Sequence, residues 1–258
     1  MTIKERSISF LWQHILLLLS LYLMTLGVVL CIKSALGSSV ISSLPLSFSM
    51  AGESGLMPAL SVGGYTIAMN FVLVGLQILV LRKRFNPIQL FQLIVGFLFG
   101  WLIDINFHLT AWLDCSGMAS QISAQFAGCV IMALGIAFEV KCGSVTMPGE
   151  GITVAFGQVT KIPFAKMKII IDTSLVVMAI ISSFVFFGSW KWNIIGPGTL
   201  FAMFFVGYMI KLITPHLGWF DRLLAYRPGF RRYVFGLARY LYGKKPESTP
   251  RQKALKTP

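Results

Sequence analysis

Charge is what this sequence has least of. Only 12% of its 258 residues are Asp, Glu, Lys or Arg, about half the share of an average globular domain. That is too little to cover a water-facing surface, and it excludes a soluble enzyme or transcription factor. Acid is scarcest, with nine Asp and Glu against 22 Lys and Arg. Histidine occurs three times, at His14, His108 and His216, and no H-E-x-x-H, G-x-S-x-G or P-loop is present. No motif names an enzyme, so the expectation is a non-enzyme with no catalytic residue, no cofactor and no metal. The four cysteines, Cys31, Cys115, Cys129 and Cys142, show no C-x-x-C or other metal-like spacing. A bridge between Cys31 and Cys115 on the outer face is a guess that spacing leaves open.

What is abundant is apolar. Hydrophobic residues make up 56% of the chain and the mean hydropathy is +0.77. Six runs are long enough to span a bilayer, at about residues 11–32, 63–81, 88–108, 122–140, 167–188 and 195–213. The first is longer than a signal-peptide core, and its pattern recurs later in the chain, so it reads as a retained helix. Lys4 and Arg6 precede it; Arg82, Lys83 and Arg84 follow the second run; Lys161, Lys166 and Lys168 precede or open the fifth. The positive-inside rule then predicts a multi-pass protein of the cell membrane with both termini in the cytoplasm.

The net charge of +13 collects in those connections and in the tail. Past residue 212 come Arg222, Arg227, Arg231, Arg232, Arg239, Lys244, Lys245, Arg251, Lys253 and Lys256. Trp219, Tyr226, Phe230, Tyr233, Phe235, Tyr240 and Tyr242 are interleaved with them. Residues 216–258 therefore read as a basic interfacial helix and a disordered tail, with anionic lipid as partner. No nucleic-acid fold signature accompanies the charge, so no nucleic-acid partner is expected.

The chain repeats itself. LMTLGVVLCIKSALGSS, from Leu23, matches IMALGIAFEVKCGSVTM, from Ile131, at an offset of 108, so that Leu26, Gly27 and Lys33 fall on Leu134, Gly135 and Lys141. VGFLFGWLIDI, from Val95, lies over AMFFVGYMIKL, from Ala202, so that Gly100 meets Gly207 and Asp104 meets Lys211. Three spans per copy is an odd number, so the second copy enters the membrane from the opposite side. The fold expected is an all-α membrane protein of six transmembrane helices, an inverted 3+3 repeat occupying residues 1–215, with repeats at about 11–108 and 122–213. Gly27, Gly96, Gly100, Gly135 and Gly207 read as close-packing points between helices.

After the first span of each copy comes a segment too polar and too broken for a span, yet too apolar for an ordinary loop: GSSVISSLPLSFSMAG (37–52) and GSVTMPGEGITVAFG (143–157). Each is expected either to be a broken or re-entrant helix or to form a surface loop with an amphipathic turn. The L-G-(x)4-I/V-K-(x)3-G/S element, followed by a small-residue turn and repeated before a Gly-containing last span, resembles the YczE/YyaS/YitT group of bacterial integral membrane proteins over about residues 12–213. The resemblance implies a membrane protein of mostly undefined activity, described as a putative transporter. The group's turn commonly reads Gly, two residues, Pro, one residue, then an acid; the second copy keeps Pro148 and Glu150, while the first has Val40 and Ser42.

Ionisable groups inside a membrane are costly and need a reason. Asp104, Glu139, Glu150 and Asp172 qualify. Lys33 with Asp104, and Glu139 with Lys211, are candidate outer and inner gating pairs, set against the plainer reading of side chains snorkelling at span ends. Asp172 and its counterpart Asn70 are candidates for ligating a coupling ion or relaying a proton, with helix–helix hydrogen bonding as the structural alternative. Asp104 and Asp172 bring an intramembrane aspartyl protease to mind but fall at different expected depths. The preferred reading is a secondary transporter of an unidentified small solute, cradled by Ser38, Ser39, Ser42, Asn70, Pro148, Glu150 and Asp172. A non-transporting scaffold for a biosynthetic or regulatory complex is the alternative, and homo-oligomerisation stays open.

Overall fold

A computed structural model describes residues 3–225, and the regular elements among them are all helical. Six are long: α1 (Ile3–Lys33), α3 (Val62–Leu81), α4 (Phe91–Leu109), α5 (Met118–Cys142), α7 (Phe164–Phe187) and α8 (Pro197–Ile213). Each, with its flanking turns, supplies a stretch long and apolar enough to cross a membrane, the build of a multi-pass membrane protein. These stretches lie within a few residues of the apolar runs, because local signals end them. Ser61 caps α3, its hydroxyl accepting from the Gly64 N–H; Pro197 opens α8 at a position that needs no N–H. Gly143 and Gly188 close α5 and α7 in the left-handed conformation, at φ 67° and 62°.

Three helices are short. α2 (Val40–Glu53) and α6 (Pro148–Thr160) occupy the two broken segments. At 14 and 13 residues they are about 20 Å long, well short of the roughly 30 Å hydrocarbon core. α9 (Gly218–Leu224) follows α8.

α1 and α5 form the central pair and run antiparallel. Gln13 at the start of α1 donates to the Cys142 carbonyl at 2.6 Å, and Ser34 past its end donates to Gln125 Oε1 at 2.7 Å. Lipid offers no hydrophobic force to hold helices together, so close packing at small residues does it. A Cβ on Gly27 would strike the Gly128 carbonyl and Met132; one on Gly135 would strike the Ser20 carbonyl and Met24. The two sets of contacts interchange under the 108-residue offset.

The other partnerships also come in twos. α4 packs on α1 and α8 on α5; α2 lies against both α3 and α7, and α6 against both α7 and α3. Each short helix is thus held by the long helix that follows it and by the corresponding helix of the other half. One partnership has no twin. α3 and α4 pack tightly, Gly100 against the Gly63 carbonyl and Ile67, and Gly96 against Asn70, while α7 and α8 hardly touch. Gly207, expected to be a packing point like Gly100, faces open space.

α9 is not a helix lying free at an interface. Phe220 and Leu224 are buried, Phe220 stacks on Phe138 at 4.3 Å, and the Trp12 indole donates to the Leu223 carbonyl at 2.9 Å. α9 thus packs on the transmembrane bundle. The rest of the expected interfacial helix, from Tyr226 on, and the basic tail lie outside the described residues. Cys31 and Cys115 are free cysteines. Cys31 sits 3.9 Å from Cys129 across the α1–α5 contact, so the guessed bridge to Cys115 is not formed.

Candidate functional site

The first turns of the two short helices meet inside the bundle. A Cβ on Gly149 would stand 3.0 Å from Ile41 Cδ1, so the glycine lets α6 approach α2. The run from Cys142 to Ala155 is buried without interruption. The sequence PGEG at 148–151 explains this turn: Pro148 starts the helix, Glu150 places an acid in its first turn, and a glycine on each side leaves room. On the far side, a Cβ on Gly151 would be 2.5 Å from Gln92 Oε1 and 2.7 Å from Gln77 Oε1. Gln77, from α3, donates to the Pro148 carbonyl at 3.1 Å and to Gln92 Oε1, from α4, at 2.9 Å. Two glutamines therefore clamp α6 at its first turn.

Glu139, in the last turns of α5, reaches the same place. Its Oε1 accepts the Met147 N–H at 2.9 Å, the donor that precedes α6, and the side chain is buried. Glu150, Lys168 and Asp172 share its electrostatic neighbourhood. Lys168 is held by Asp172 at 2.8 Å, one turn along α7. Among the described residues seven buried side-chain polar atoms have no hydrogen-bond partner. Four lie here: Glu139 Oε2, Glu150 Oε2, Thr146 Oγ1 and Gln77 Oε1. A buried polar atom without a partner is rare, and a bound water or ion is one of its ordinary explanations.

The first half offers hydroxyls instead, and they are engaged. Ser38 donates to the Ile194 carbonyl at 2.8 Å; Ser39 and Ser42 bond each other at 2.7 Å; Ser182 donates to Ser47 at 2.7 Å. Ser38, Ser39 and Ser42 thus stand at the mouth of α2 rather than beside the acids. Asn70 donates to the Gly96 carbonyl at 3.2 Å and ties α3 to α4, the structural role weighed for it. Of the residues expected to cradle a solute, Pro148, Glu150 and Asp172 come together. Gln77, Gln92, Thr146 and Lys168 join them. The sequence signal for Gln77 and Gln92 is an amide set inside a membrane-spanning run.

The expected gating pairs are not made. Lys33 donates to the carbonyls of Thr110 and Leu113 beyond the end of α4, where free carbonyls favour a cation. Asp104 instead caps α3, accepting from Ser61 Oγ at 2.7 Å and the Gly63 N–H at 3.0 Å. A carboxylate at a helix start is stabilised by its unpaired N–H groups, and that local reward outweighs a long reach to Lys33. Lys211 is exposed, whereas Glu139 is buried. Lys141, the counterpart of Lys33, pairs with Asp221 of α9. The groups that the two lysines contact, Leu113 and Asp221, are themselves 108 positions apart.

Residues 11–215 match the profile of a family of unknown function, DUF6198. The chain belongs to this family. Nothing in the match names the YczE/YyaS/YitT group, so the family membership gives the chain its relatives and leaves its activity to be argued from the site. No curated protein and no solved structure matches it.

Proposed function

We propose that this DUF6198 protein is a secondary carrier that moves a small solute by alternating access, and that it performs no covalent chemistry. The observation that carries the reading is the approach of α2 and α6: two half-length helices, each after the first span of its half, whose first turns touch at one point, Ile41 against Gly149. Carriers built from inverted repeats place substrate where such helix ends converge, since free N–H groups and irregular backbone survive in a membrane only where they line a site. The 108-residue recurrence, the antiparallel α1–α5 pair and the interchangeable contacts of Gly27 and Gly135 support an inverted 3+3 repeat. In this reading the two halves rock about the α1–α5 seam, and both termini face the cytoplasm, where the tail meets anionic lipid.

The test begins with a ligand-dependent thermal-shift screen of the purified full chain against metabolite and ion libraries. Hits are then followed as labelled solutes into proteoliposomes. A carrier takes up at least one hit, and Gly149→Val, which drives a side chain into Ile41, cuts uptake at least tenfold while the protein still purifies as a folded species. Hits that bind but never cross the vesicle membrane refute the reading.

A further inference from the structure

We propose that Glu139, Glu150, Thr146 and Gln77 form a binding site for a compact monovalent cation, either an alkali ion or a primary ammonium group. The proposal deepens the carrier reading and rests on it for its role in the cell, but the binding it asserts is measurable without transport.

The first support is charge. Lys168, the base that acts on both glutamates, is already held by Asp172. Lys141, two residues beyond Glu139, is held by Asp221. Each lysine is offset by an aspartate, which leaves the two glutamates unbalanced. A carboxylate buried away from water costs several kcal/mol, and two close together cost more, so the pair is neutralised either by protons of its own or by positive charge from outside the chain.

The second support is the chemistry of the unmet atoms. Glu139 Oε2, Glu150 Oε2 and Gln77 Oε1 are acceptors, and Thr146 Oγ1 has a lone pair to offer. Gln77 and Thr146 are buried to about 1% exposure or less. A site of acceptors wants a ligand with positive charge and either several N–H donors or a shell that takes oxygen. Carboxylate, hydroxyl and amide oxygens suit a hard cation, whereas thiolate and imidazole sites select softer metals. Among the described residues no three His, Cys, Asp or Glu side chains group as a transition-metal site would require. Position agrees as well. Glu139 lies in the last turns of α5, the helix end that favours a cation, and the bare Gly151 lets Gln77 Oε1 approach the turn that carries Glu150.

The experiment uses the purified full chain in detergent at one fixed pH and ionic strength, with N-methylglucamine chloride as the bulky reference salt. Sodium, potassium, ammonium and methylammonium chlorides are titrated in turn, and the thermal unfolding midpoint is followed. One class of small cation raises the midpoint saturably: sodium or potassium marks an alkali site, ammonium and methylammonium an amine site. Glu139→Gln and Glu150→Gln abolish the shift, and Thr146→Val weakens the apparent affinity about tenfold, the loss of one ligand to a charge. Should the glutamine variants not fold, Thr146→Val carries the test alone, and unchanged affinity in it overturns the site. Equal response to every salt, or a shift that survives in Glu150→Gln, also overturns it. Binding without flux sinks the carrier and spares the site; flux of an uncharged hit without cation binding does the reverse.

Discussion

Glycine and polar side chains set the close contacts of this bundle one residue at a time. At Gly27 and Gly135 the neighbouring backbone stands where a Cβ would go, while at Gly207 nothing lies within 4 Å. We therefore expect Gly27→Val and Gly135→Val each to lower stability by about 1–3 kcal/mol, the usual cost of overpacking. The two losses should match because the sites exchange under the repeat. Gly207→Val should stay within about 0.5 kcal/mol. Thermal unfolding of the three variants in one detergent checks this, and a Gly207 variant as damaged as the other two contradicts the packing described. At this scale the sequence was legible in part. Four of its five marked glycines are packed, since small residues in apolar helices have few other uses. The partners of the charged side chains were not legible, because a lysine or aspartate at a span end can satisfy backbone groups next door. Asp104 found two donors within its own half, and sequence position does not say which partner is nearer.

At the scale of elements, helix ends followed local chemistry: Ser61, Pro197, Gly143 and Gly188 stop or start helices wherever they stand. The short helices were legible for the same reason. Serine, glycine and proline break the apolar pattern at 37–52 and 143–157, and the helices at 40–53 and 148–160 sit in those breaks. α9 was not legible. Gly218–Leu224 looks like the opening of a basic tail, yet Phe220 and Leu224 are buried against the α5 side of the bundle. A chain ending after Ala225 should keep the midpoint of the full protein, whereas one ending at residue 215 should lose several degrees. Two large apolar side chains leave a packed site, and Lys141 loses Asp221. Detergent-purified truncations compared by thermal unfolding decide it; equal midpoints would mean that α9 adds nothing to the fold.

For the molecule as a whole, topology is the quantity to measure. With an inverted repeat, single cysteines placed at Ser54 and at Ser189, in exposed turns, react with an impermeant maleimide applied to intact cells. Cysteines at Lys83 and Lys161 react only after the membrane is opened. The background is a variant with its four native cysteines replaced. Labelling of Ser189 and Lys161 with the opposite sidedness would mean that the second half enters the membrane as the first does, and the alternating-access reading falls with it. The repeat is not perfect, and its departures carry meaning. Around α2 the hydroxyls satisfy one another, while around α6 the acids Glu139 and Glu150 of the second half and Gln77 of α3 keep unmet atoms.

The number of spans, their limits and the two interrupted segments were decided by the sequence itself. Bilayer thickness, helix-breaking residues and charge-poor runs act over a few neighbours, and each leaves a local mark. The partners of Lys33, Asp104 and Glu139, the convergence of Glu150 with Gln77 and Gln92, and the docking of α9 were decided only in three dimensions. Except for Glu139 and Met147, which are eight positions apart, those meetings join residues tens of positions apart. They depend on which helix faces are left to pack once α1 and α5 have met.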